Sequence, residues 1–157
     1  MPNEDSKPSH SSPIEILLVD DHPYVRKLLR EMIKTFDDLT IVGEADNGEE
    51  AVLLATKLKP AAVVMDVHLP VLNGVPATKL IKMNNPFTAI IGLTAGGPHE
   101  DERAMIIAGA AVVINKSDVL DALHPAILNA VLDRVSQGRG REHSTIRHRW
   151  KDQAESL

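Results

Sequence analysis

Two short aliphatic runs, each closed by aspartate, constrain this chain more than any other feature. Ile14-Glu15-Ile16-Leu17-Leu18-Val19 runs into Asp20-Asp21, and Ala61-Ala62-Val63-Val64-Met65 runs into Asp66. Runs of this length, bounded by polar or turn residues, read as buried strands. If the two lie parallel and side by side, three carboxylates emerge together at one edge of a sheet. Like charges that close are costly unless something positive sits among them. The cluster is therefore better read as a site than as a folding device.

The rest of the chain repeats the same alternation. After the first strand, His22-Pro23 opens a helix, since proline is tolerated in a first turn and Asp21 or His22 can cap it. Val25, Leu28, Leu29, Met32 and Ile33 recur at helical spacing and give it one apolar face. Phe36-Asp37-Asp38 breaks that helix, and Thr40 to Ala45 reads as a second strand. Asn47-Gly48 is a turn signal, Glu49 to Leu58 a second helix, and Pro60 stops it before the strand that ends in Asp66. Val67 to Gly74 is a loop, Val75 to Met83 a third helix, and Ala89 to Leu93 a fourth strand tipped by Thr94. The flexible Ala95-Gly96-Gly97-Pro98 follows, then a helix over His99 to Ala108. Ala111 to Ile114 is a fifth strand ending at Asn115-Lys116, and Ser117 caps a last helix expected to run to about Arg134. Strand and helix alternate five times, the pattern of an α/β doubly wound parallel sheet. In such sheets ligands sit outside the carboxyl ends of the strands. Here those ends present Asp20, Asp21, Asp66, Thr94 and Lys116, and the second strand, ending at Glu44-Ala45, contributes least.

Composition bounds the alternatives. At 157 residues, 43% hydrophobic and 25% charged, the chain is one domain with tails and long enough for a proper core. The lack of cysteine excludes disulfides and thiolate metal sites and fits a cytoplasmic protein. No apolar run approaches the length that spans a bilayer. The polar, Ser/Pro-rich segment 1–13 is no secretory signal and reads as a disordered tail. Residues 136–157 carry a net +2 and residues 1–13 a net −1, which leaves −6 of the total −5 on residues 14–135. An acidic body is a poor non-specific binder of nucleic acid, and the basic tail 136–157 is expected to be flexible or to dock a partner.

With these residues in order, the chain resembles the receiver domain of bacterial two-component response regulators. The resemblance covers roughly residues 14–135. It rests on an acidic pair after the first strand and an Asp after the third, followed by Leu69-Pro70 and Asn73-Gly74. Thr94-Ala95 after the fourth strand and Lys116 after the fifth complete it. Each element is weak by itself; all of them in order are specific. The runs Ile16-Leu17-Leu18-Val19-Asp20-Asp21-His22-Pro23 and Ile41 to Ala51 look most like the subfamily that carries helix-turn-helix outputs. The resemblance implies a flavodoxin-like strand order 2-1-3-4-5 with helices on both faces.

It also implies chemistry. Asp66 would accept a phosphoryl group, and Mg²⁺, a hard cation wanting oxygen ligands, would be held by Asp21 and Asp66 directly. Asp20 would stand nearby, acting through water, and the main-chain carbonyl of His68 would complete the set. Lys116 would pair with Asp66 and then with a phosphoryl oxygen, and Thr94 would donate its hydroxyl once phosphate arrives. The donor would be a sensor histidine kinase or a phosphotransfer protein. A homodimer would form through the fourth helix, fifth strand and fifth helix, where Met105, Ile106 and Ile107 lie near Val112 and Val113.

Two positions depart from or extend that pattern. Many receivers place Tyr or Phe three residues before the Lys, and here that position is Val113. His68, two residues after Asp66, sits where a side chain can tune hydrolysis of an acyl phosphate. Taken singly, Asp20-Asp21 is a helix cap, Lys116 a surface lysine and His22 a helix-start residue rather than a ligand. Three other readings stay open beside a phospho-accepting receiver. They are the receiver half of a DNA-binding regulator, a receiver-like interaction module that is never phosphorylated, and a Mg²⁺-using phosphohydrolase.

Overall fold

The computed structural model describes the backbone of residues 11–154 and the side chains of residues 11–137; most of the expected N-terminal tail, residues 1–10, lies outside the described residues. Five strands form one parallel sheet: β1 (Ile14–Val19), β2 (Leu39–Ala45), β3 (Ala62–Asp66), β4 (Ala89–Thr94) and β5 (Val112–Asn115). Their order is β2-β1-β3-β4-β5. Helices α1 (Pro23–Ile33), α2 (Gly48–Leu58), α3 (Gly74–Asn84) and α4 (His99–Ala108) connect them, and α5 (Val119–Ala154) follows the last strand. The fold is the doubly wound α/β sheet expected, with the expected strand order.

Alternation along each strand divides the core in two. Ile16 and Leu18 of β1, Ala62 and Val64 of β3, and Ile91 and Leu93 of β4 face one way. They pack on Leu29 and Ile33 of α1 and on Leu123, Ile127 and Ala130 of α5. Leu17, Val19, Val63, Met65 and Ile90 face the other way, against Ala51 and Ala55 of α2, Ala77 and Ile81 of α3, and Met105 of α4. Strands buried on both faces can be apolar at successive positions, which is why Ile16–Val19 of β1 and Ala62–Met65 of β3 are unbroken apolar runs. The order of strands reverses between β1 and β3, so the carboxyl ends of those two strands flank the crevice where such folds bind ligands.

Most element ends fall within a residue of those expected, the ordinary scatter of helix and strand termini. The last helix differs in two ways. Ser117 does not cap it. Asn115 caps a single 3₁₀ turn over Lys116–Asp118, its side chain accepting from the Ser117 N–H, while the Ser117 hydroxyl itself donates to Asn115 Oδ1. Asn is as good a cap as Ser and stands two places earlier, at the last residue of β5. The helix also runs on to Ala154 instead of ending near Arg134, so most of the segment expected as a flexible tail has helical backbone. Beyond Pro125 the weakest helix formers in it are Gly138 and Gly140, each costing only about 1 kcal/mol relative to alanine.

Candidate functional site

The parallel pairing of Val19 with Met65 sets the residues just beyond them side by side, so Asp20 and Asp66 arrive together. Asp20 is completely buried and Asp66 is 3% exposed, whereas the Asp21 and Lys116 side chains keep 30% and 19% of their surface. Two buried carboxylates this close need a counter-charge. Lys116, carried in on the turn after β5, provides it by lying between them. Its Nζ donates to Asp66 Oδ2 at 3.1 Å and stands 2.8 Å from Asp20 Oδ2. The expected Lys116–Asp66 pair is therefore one arm of a bridge whose shorter arm reaches Asp20. The Asp20 contact is an ion pair off the hydrogen-bonding direction, since Asp20 Oδ2 has no hydrogen-bond partner.

Electrostatics follow from this packing. Burial pushes the Asp66 carboxyl above its ordinary value, with the neighbouring Asp20 charge adding to the rise. The Lys116 ammonium and the His68 N–H offset only part of it. Burial pulls Lys116 down, but the Asp20 and Asp66 carboxylates together overturn that and hold its pKa above the usual lysine value. One ammonium does not balance the cluster.

What the set lacks is positive charge. Asp20 Oδ2 and Asp21 Oδ1 are both buried without a hydrogen-bond partner. One donor atom from each of Asp20, Asp21, His22 and Asp66 can be chosen so that all lie within 4.8 Å of one another. Ligands on one small divalent ion, at bond lengths of about 2.1 Å, span at most about 4.2 Å, so slight contraction would bring all four onto an ion. Carboxylate oxygens at that spacing, two of them without a hydrogen bond, fit a divalent cation. His68 joins the site through its backbone, its N–H donating to Asp66 Oδ1 at 3.2 Å.

The other expected residues sit at the rim. Thr94 ends β4 opposite Asn115, and among the described residues its hydroxyl makes no hydrogen bond. The His68 side chain turns away from the carboxylates, with Nε2 3.1 Å from Asp101 Oδ2 in the first turn of α4. Val113 lies against Gly92 of β4. A side chain at 92 would crowd both Val113 and the fully buried Met105, so the glycine gives these two the space beside the sheet. The Met105 sulfur also accepts from the buried Thr78 hydroxyl at 3.7 Å. Gly74, at the start of α3, is equally constrained: a Cβ there would collide with the main-chain oxygens of Asp66 and Val67.

Two features were not read from the sequence. Val71, in the loop after Asp66, has φ 66° and is the centre of a γ-turn closed by Leu72 N–H on Pro70 carbonyl at 2.7 Å. A β-branched residue in that region is strained, and positive-φ γ-turns are rare. Only the neighbouring Pro70 hinted at it. Behind the site, Arg30 grips Glu44 with two 2.8 Å hydrogen bonds, while Arg26 pairs with the same carboxylate and donates to the Asp20 carbonyl at 2.7 Å. The end of β2 thus contributes more than its sequence suggested. The signal available was the i, i+4 spacing of Arg26 and Arg30 on a helix that leads to an acid-ended strand.

Comparison with known proteins agrees with this layout. The family model for the response regulator receiver domain matches residues 16–128. The chain is 35% identical over 114 residues to the response regulator GacA of Pseudomonas protegens, an alignment covering 73% of this chain and 54% of that protein. It is 33% identical over 122 residues to the nitrate/nitrite response regulator protein NarL of Escherichia coli, covering 75% and 56%. The chain thus spans about half the length of these curated relatives. Among solved structures, the response regulator domain of Thermotoga maritima CheB superposes with a TM-score of 0.71 at 32% identity, covering 76% of this chain and 96% of that one.

Proposed function

The chain belongs to the response regulator receiver family, and from that premise we propose that it accepts a phosphoryl group on Asp66 and thereby switches a protein-interaction surface. The observation that carries this reading is the buried Asp20–Lys116–Asp66 bridge, in which Asp20 Oδ2 and the neighbouring Asp21 Oδ1 are left without a hydrogen bond. Such a site is built to take up more positive charge and then a dianion.

An Asp66 carboxylate oxygen attacks phosphorus in the donor, and the bond from phosphorus to the donor's leaving group breaks with its electron pair. The donor is a sensor histidine kinase or a phosphotransfer protein. Asp21, Asp66 and the His68 main-chain carbonyl, with Asp20 beside them, would hold Mg²⁺, which would supply charge neutralisation for the phosphoryl oxygens. Lys116 gives up its ion pair with Asp66 and contacts a phosphoryl oxygen instead, as a compact point charge suits. Thr94, whose hydroxyl is otherwise uncommitted, turns toward the phosphoryl group and moves the β4–α4 loop with it. Gly96, at φ 88°, lets that loop bend. Water returns Asp66 to the carboxylate and releases inorganic phosphate.

The surface that responds is the α4–β5–α5 face. Ile106 and Ile107 are 45% and 82% exposed there, and a second copy of the chain is the occupant we assign to it. A change in α4 packing reaches them through Met105, which takes up the space beside Val113. Direct binding to nucleic acid is not part of this reading, because the described body is acidic.

Labelling by a small acyl-phosphate donor with Mg²⁺ tests the site. Wild type is expected to take up phosphate and Asp66→Asn to take up none. Unchanged labelling of Asp66→Asn would overturn the assignment.

A further inference from the structure

The His22 side chain is left over from that mechanism, and its position is specific. It follows the acidic pair directly and occupies the N-cap position of α1, yet its side chain makes no capping hydrogen bond. Nδ1 points back over the carboxylates, hydrogen-bonded to Asp20 Oδ1 at 3.2 Å, a contact it would exchange for a cation, and 3.0 Å from Asp21 Oδ1. Asp21 Oδ1 nevertheless has no hydrogen-bond partner, so the close approach to it is not a bonded one. Neighbouring ligands on one octahedral ion with bonds of about 2.1 Å are about 3.0 Å apart, and that is the separation of these two atoms here. The imidazole is 63% exposed, so an ion can reach it without rearrangement of the core.

We propose that His22 supplies a nitrogen ligand to the cation site, so that the site binds divalent first-row transition ions, Mn²⁺ included, more tightly than carboxylates and carbonyls alone would. This rests on reading the carboxylate cluster as a cation site. All-oxygen sets suit hard ions such as Mg²⁺, whereas imidazole favours ions further along the divalent transition series. Magnesium gains little from a nitrogen donor and keeps several of its own waters. His22 is therefore a specificity-determining residue: it sets which metal the site prefers and leaves the phospho-acceptor itself unchanged. A histidinium lying over the acids as a plain counter-ion would do the opposite. It would compete with every cation alike.

The two are separated by metal titration of the full chain. Mn²⁺ and Mg²⁺ affinities are read from ligand-dependent thermal shifts of wild type, His22→Gln and His22→Ala. Pulsed electron paramagnetic resonance of the Mn²⁺ complex then looks for nitrogen modulation. The expected result is at least a tenfold loss of Mn²⁺ affinity in both variants, less than a threefold change for Mg²⁺, and nitrogen modulation that is present in wild type and absent from His22→Gln. Mg²⁺ binding with no nitrogen modulation and an unchanged Mn²⁺ to Mg²⁺ ratio would overturn the inference while the cation site stands. Equal tightening of both ions in the variants would assign His22 as a counter-ion and overturn it too. Failure of wild type to bind either ion would overturn both readings together.

Discussion

The two ends of the sheet handle buried charge in opposite ways. At the carboxyl ends of β1 and β3, Asp20, Asp21 and Asp66 crowd around one ammonium, and two carboxylate oxygens are left without hydrogen bonds. At the amino ends of β3 and β4 the charges are cations, and each donates to backbone carbonyls, with Arg134 Nε left buried without a partner. Lys82 Nζ donates to Pro86 and Thr88 at 2.6 and 2.9 Å, and Arg134 donates to Phe87 at 2.7 Å and more weakly to Ala61 at 3.4 Å. Burial lowers the pKa of Lys82, with the nearby Arg134 charge adding to it, and burial lowers that of Arg134. Even so, both have acceptors in place without any ligand. The lower edge is a structural device that is nearly complete in the protein alone, whereas the upper edge leaves Asp20 Oδ2 and Asp21 Oδ1 without hydrogen bonds.

The largest break in that comparison comes from Lys116→Met. It leaves Asp20 and Asp66 buried with no cation between them, and loss of one partner from a buried pair costs about 3–5 kcal/mol. Metal-free Lys116→Met is expected to lose roughly that much stability in denaturant titration, and added Mg²⁺ to restore a large part. A loss that Mg²⁺ leaves untouched would mean that the upper edge does not bind a cation.

Arg134→Met sharpens the contrast from below. It removes donors to two carbonyls next to β3 and β4, a cost of about 1–2 kcal/mol. Because no carboxylate cluster is involved, Mg²⁺ should stabilise this variant by the same increment as wild type. A larger increment would show that the two edges are coupled through α5.

Much of the upper edge was legible in the chain because it is built from strand ends, and strands announce themselves by short aliphatic runs. Asp20, Asp66, Thr94 and Lys116 follow such runs directly, and a parallel sheet must bring those ends to one side. The residues that escaped notice owe their positions to tertiary packing. Nothing local says that Lys116 leans closer to Asp20 than to Asp66, or that His68 turns out toward Asp101 on α4. Val71 lies in left-handed backbone because its loop must fold back before Gly74 meets the Asp66 carbonyl. The end of α5 was misplaced for a different reason: amphipathic periodicity stops near Val135, but weak helix formers without proline do not end a helix. Glu44 was undervalued because a lone acid at a strand end looks solvated until two arginines from another element close on it.

That Glu44 cluster yields the smallest effect, and it marks where the upper edge stops being a binding site. Its carboxyl is held below the usual value chiefly by the hydrogen bonds from Arg30, with burial opposing and the charges of Arg30 and Arg26 helping. A depressed carboxylate stabilises the fold at every pH above its unfolded value of about 4.5. The contribution fades as pH falls through 4.5 toward the lower folded value, where the protonated acid can no longer pair. Glu44→Gln should therefore melt about 2 °C or less below wild type at pH 7, in keeping with a half-exposed ion pair. The gap should close on acidification below pH 4.5 and shrink with added salt, and Mg²⁺ affinity should be unchanged. The network touches Asp20 only through its carbonyl, by way of Arg26, and leaves its carboxylate oxygens alone. A Mg²⁺ affinity that fell with Glu44→Gln would extend the site to β2 and make the arginine pair part of its machinery.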